Sequence, residues 1–146
     1  MSTNNSKPCL SDYDQKQLDI TMAAFGHLPK NDAKIMALTI LQEKLKKEKE
    51  NFEKLYHDVE KQIDDQVEEY INSDQAKKYI GDQVEKYIND QEEKQIYDEV
   101  EKKFEDETKK KLKNEAAPLL NFYVKRINNL IIRSNTLDQL CLKEMK

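Results

Sequence analysis

The sequence has no tryptophan, only two glycines and three prolines, and two cysteines in 146 residues. So few turn-forming residues cannot serve the many chain reversals of a β-sandwich, a barrel or a doubly wound sheet. Cys9 and Cys141 lie near opposite ends, which excludes a disulfide framework and a Cys-x-x-Cys site and points to a reducing, intracellular setting. The start, Met1 to Ser6, is polar with no apolar run behind it, so neither a secretory signal nor a membrane span is expected. His27 and His57 are the only histidines and have no cysteine near them, so zinc-site spacing is missing. There is no Gly-rich phosphate loop and no Gly-x-Ser-x-Gly elbow. The expectation is a protein that is not an enzyme, with no catalytic, cofactor-binding or metal-binding residues.

What the chain does have is charge. Charged and hydrophobic residues each make up 37%, a balance that predicts an all-α, elongated, core-poor architecture of long helices or coiled coil, dimeric or folded into a helical hairpin. The net −4 is unevenly spread. Residues 1–42 are neutral, 43–115 hold 23 acids and 16 bases, and 116–146 carry +3. An acidic middle argues against direct nucleic-acid binding, which needs a clustered positive field. It suits a basic protein partner, or it is simply the solvated face of a long helix.

The breakers predict a disordered tail over 1–11, a short helix and turn over 12–29, and a long helix segment over 30–63. An acidic helical repeat region over 64–115 and a basic amphipathic helical segment over 116–146 complete the chain. Asn31 or Asp32 is the expected cap of the second helix. Along that helix Leu38, Leu41, Leu45, Phe52, Leu55, Val59 and Ile63 form an a/d-type helix-pairing seam, which another helix must cover.

In the next stretch Asp-Gln recurs at 65, 74, 82 and 90, and Tyr-Ile at 70, 79 and 87. Spacings of eight or nine residues overshoot two helical turns, so on one continuous helix each copy rotates by roughly 80° or more. Either a long helix continues with a winding surface, or it breaks near Asn72-Ser73-Asp74 and Gly81 and folds back. Beyond the repeat, Ile96, Val100, Phe104 and Leu112 fall at multiples of four and restore a helical face. After Pro118, Leu120, Val124, Ile127 and Ile131 share one side of a helix flanked by Lys125, Arg126 and Arg133. Such a helix packs on its own protein, a partner or a membrane surface.

Leu28-Pro29, then Lys34-Ile35-Met36-Ala37-Leu38-Thr39-Ile40-Leu41-Gln42, then Phe52 and Tyr56-His57-Asp58-Val59-Glu60-Lys61, resemble the opening of the long dimerisation helix of the nucleosome assembly protein family. The register matches from Ala37 to Lys61 without a gap. Pro118-Leu119 and Lys125-Arg126 resemble a later step of that helix, with the repeat as an insertion before it. The sequence stops where the family's α/β histone-binding domain would begin, and no strongly acidic tail follows. The resemblance therefore implies a truncated or divergent member with a nuclear or cytoplasmic setting. It would pair with itself as an antiparallel homodimer, engage histones as a chaperone in nucleosome assembly, and need no cofactor. Glu68, Glu69, Glu92 and Glu93, outside the seam, are the candidate residues for holding the basic partner. The competing expectation is a structural coiled-coil or adaptor protein with no histone-chaperone activity.

Overall fold

A computed structural model describes residues 9–87 and 93–145. They form four α-helices and no strand: α1 (Asp12–Ala23), α2 (Lys30–Ile71), α3 (Asp74–Tyr87) and α4 (Glu93–Glu144). The all-α class expected from the scarcity of turn residues is the one observed. The chain divides into two compact units, Met1–Lys54 with Tyr123–Lys146, and Leu55–Phe122.

The first unit holds α1, the first half of α2 and the end of α4. Ser11 caps α1 by accepting the Asp14 amide on its hydroxyl at 3.2 Å, and Asp12 and Asp14 in the first turn complement the positive end of the helix dipole. Leu10 packs against the core, so the tail expected over 1–11 is engaged at its end, while residues 1–8 lie outside the described residues. The turn after α1 is closed by i to i+3 bonds, Phe25 amide to Met22 carbonyl and Leu28 amide to Phe25 carbonyl. The next helix then starts earlier than expected. The Pro29 carbonyl accepts the Ala33 amide at 2.9 Å, which puts Asn31 and Asp32 inside the first turn instead of at the cap. Proline suits this position because the first amides of a helix have no intrahelical acceptor.

Leu18 of α1, Ala37, Leu38, Leu41 and Leu45 of α2, and Leu130 and Leu137 of α4 make the core of this unit. Each fully buried leucine contributes roughly 1.5–3 kcal/mol by leaving water. Lys34 pairs with Glu144 at 2.8 Å, Gln42 donates to Asp138 at 2.6 Å, and the Phe52 ring lies 6.1 Å from that of Tyr123. These pairs fix α2 and α4 antiparallel here. The upper seam is thus covered by helices of the same chain. On α4 the buried positions are Leu130 and Leu137, whereas Val124 and Ile131, expected on the packed side, are 39% and 38% exposed. The register is set by α1 and α2 together, so the apolar stripe of α4 alone points to the wrong neighbours.

A charged pair pins α1 to α4. Arg133 donates from Nε to Asp14 Oδ2 at 2.9 Å and from Nη2 to Oδ1 at 2.7 Å, and its guanidinium stands 5.8 Å from the centroid of Tyr13. Asp14 is the one buried charged residue among those described. The hydrogen bonds from Arg133 hold its carboxyl below the usual carboxylate range against the opposing effect of burial, and the same bonds raise Arg133.

The second unit holds the rest of α2, α3 and the first part of α4. Val59, Ile63, Val67 and Ile71, each four residues apart, pack with Phe104, Leu112 and Ala116. Leu55, expected in the seam, is 42% exposed. Eight residues are about 2.2 turns, so Leu55 points roughly 80° away from Ile63. The predicted stripe of α4 is observed, with Ile96, Val100, Phe104 and Leu112 all half-buried. Lys109 pairs with Asp64 at 3.2 Å and Phe104 meets Tyr70, so α2 and α4 are antiparallel in this unit too.

Helix α2 runs on to Ile71, with no boundary at 63, and the chain breaks at Asn72-Ser73. Ser73 ends one helix and starts the next: its amide donates to the Tyr70 carbonyl at 3.0 Å, and its hydroxyl accepts the Ala76 amide at 3.2 Å. Gly81, the other expected break, lies inside α3. Ala76, Ile80 and Val84 form the buried stripe of that helix, a four-residue spacing that outweighs the cost of one glycine. Pro118 does not interrupt α4, so no element boundary falls at 116.

Candidate aromatic groove in the acidic unit

Tyr70 and Tyr79 occupy the same place in two copies of the Tyr-Ile repeat. Neighbouring residues on a helix differ by about 100°, so when the isoleucine enters the core the tyrosine stands at its rim. Ile71 and Ile80 are 9% and 1% exposed, against 44% and 48% for Tyr70 and Tyr79. On one continuous helix the rotation per copy would separate the pairs. The turn at Asn72-Ser73 puts the copies on two helices and brings both rings onto Phe104 of α4. The Phe104 centroid is 5.6 Å from Tyr70 in a stacked arrangement and 5.2 Å from Tyr79 at 38°. Ile88, of the third copy, lies outside the described residues.

The three rings line a groove of about 600 Å³, to which α2 adds Gln66 and α4 adds Glu107, Lys111 and Glu115. Glu107 and Glu115 are exposed, and neither makes an ion pair among the described residues. Leu55–Phe122 holds 19 acids and 11 bases, a net −8, against +4 for the rest of the chain. The groove therefore opens on the negative part of the molecule.

Of the residues expected to hold a basic partner, Glu68 and Glu69 are exposed on the last turn of α2, and Glu93 is exposed in the first turn of α4. Glu92 lies outside the described residues. Glu93 precedes Phe104 by eleven residues, about 16 Å along the helix, whereas Tyr70 at the end of α2 is level with Phe104. Glu93 is thus separated along α4 from the level at which Glu68 and Glu69 stand. The seam residues are divided as well: Leu38, Leu41, Leu45 and Ile63 are buried, Phe52 and Val59 half-buried, and Leu55 exposed.

Among the described residues no group of three or more His, Cys, Asp or Glu side chains could hold a metal ion, and no helix is long and apolar enough to cross a membrane. His57 is exposed beside Glu60 at 3.4 Å. Cys9 and Cys141 are free thiols. Composition alone missed Tyr70, Tyr79, Glu107 and Glu115, although the repeat carried a signal for the two tyrosines. No family model, curated protein or solved structure matches the chain.

Proposed function

We propose that the chain is a helical adaptor that binds a basic protein through the acidic unit Leu55–Phe122. Histones are the partner class, and chromatin assembly the setting, that the resemblance in α2 brings to this reading. The observation that carries it is the net −8 of that unit, with Glu68, Glu69 and Glu93 exposed on it. Ile63, Val67 and Ile71 are buried within the unit, and the exposed glutamates stand outside that cluster, where a partner can reach them. Long-range attraction of this kind speeds encounter and is screened beyond about 8 Å at physiological salt.

A second reading, a structural scaffold without chaperone activity, is favoured by one observation. Leu38, Leu41 and Leu45, within the stretch that resembles the dimerisation helix, lie in the chain's own core, as in any helical bundle. Titration of labelled core histones at about 50 and 300 mM salt separates the two readings. The adaptor binds at the lower salt, loses affinity steeply at the higher, and is weakened by Glu68→Gln with Glu69→Gln. Absence of binding at low salt leaves the scaffold.

A further inference from the structure

We propose that the groove on Tyr70, Tyr79 and Phe104 is the docking slot for a cationic side chain of a basic peptide segment. The inference rests on the adaptor reading and names the place where a partner is gripped. Aromatic faces attract cations within about 6 Å of the ring centroid, and the attraction grows as water is excluded. The first unit already uses this interaction: Arg126 stands 5.9 Å from the Phe52 centroid and Arg133 5.8 Å from that of Tyr13. The ring cluster of the second unit has no cation over it among the described residues.

The surroundings suit the charge. Glu107 and Glu115 are two turns apart on the wall of the groove and have no ion-pair partner among the described residues. Lys111 lies between them in sequence and pairs with neither among the described residues, which leaves both carboxylates open to an incoming ammonium group. A lysine lays its methylene stem along the rings and carries its charge to a glutamate, as amphipathic side chains do at apolar surfaces. Phe104 is anchored from below by the Ile63, Val67 and Ile71 cluster, so the slot is supported by packing and does not need to be formed by the ligand.

The test uses the full chain and a short peptide alternating lysine and glycine, with an acetyl-lysine counterpart that keeps the stem and removes the charge. Binding is read by calorimetry and by the aromatic proton signals of the tyrosines. Expected are shifts at Tyr70 and Tyr79 with the lysine peptide alone, and roughly 3- to 30-fold weaker binding for Tyr79→Leu. Tyr79→Phe, which keeps the π face, retains the affinity, and equal helix content of the variants by circular dichroism shows that the fold survives. Glu107→Gln with Glu115→Gln weakens binding further. Salt-sensitive binding unaltered by Tyr79→Leu, with unmoved tyrosine signals, overturns the slot and leaves the adaptor reading standing. Equal binding of the acetylated peptide also overturns it, as does no binding of either peptide at low salt, while the adaptor reading falls only if core histones also fail to bind at low salt.

Discussion

Replacing Asp14 by asparagine isolates one interaction of the first unit, because the shape is kept and the charge is lost. Removing one partner of a fully buried ion pair typically costs about 3–5 kcal/mol, chiefly by stranding the other charge. Here the Arg133 side chain keeps 23% exposure and the ring of Tyr13 lies beneath it, so it is only partly stranded. We expect a loss of about 2 kcal/mol, which for a chain of this size lowers Tm by roughly 4–8 °C. A double-mutant cycle with Arg133→Gln, read by urea denaturation, should give a coupling of about 1–2 kcal/mol at neutral pH. The pH dependence follows from the lowered carboxyl. Its contribution is complete above the unfolded-state value of about 3.9 and is lost as pH falls through the lower folded-state value. The coupling should therefore persist at pH 5 and decline as the solution is acidified below the unfolded-state value. A coupling near zero at neutral pH, or one equally large in strong acid, refutes the reasoning.

Leu38→Ala, at a position with no exposure, should cost about 3 kcal/mol in chemical denaturation, while Leu55→Ala, 42% exposed, should cost below about 1 kcal/mol. Gly81→Ala should raise stability by about 0.5–1 kcal/mol, since it lies within α3 and an added Cβ meets nothing within 4 Å; a thermal melt with a lowered midpoint contradicts this. Because the upper seam is covered within the chain, sedimentation equilibrium at tens of micromolar should give the monomer mass, and a dimer mass would mean that another face pairs.

The helical class was legible because four-residue apolar spacing recurs where turn residues are missing, as in the stripe from Ile96 to Leu112. The break at Asn72-Ser73 was one of two readable alternatives. What decided it is local chemistry, a serine able to bond both the helix it ends and the helix it starts. The face of α4 beyond Pro118 was read only in part: Leu120 and Ile127 are half-buried, but Val124 and Ile131 are exposed, and the buried Leu130 and Leu137 pack with Leu18 of α1 as well as with α2, which the pattern of α4 alone does not reveal. The Asp14–Arg133 pair joins residues 119 positions apart, and nothing in either neighbourhood marks the partner. The groove lay between these cases. The repeat was visible, but the rotation argument kept its tyrosines apart until the turn placed two copies on two helices.

The central claim is that the acidic unit is the surface that takes a basic protein. Backbone amide spectra of the labelled chain, recorded during titration with an unlabelled core histone dimer at low salt, test it residue by residue. The account predicts shifts concentrated in Leu55–Phe122, including Glu68, Glu69 and the lining of the groove, that fade as salt is raised. Shifts confined to the first unit, or a spectrum unchanged at saturating histone, would contradict it.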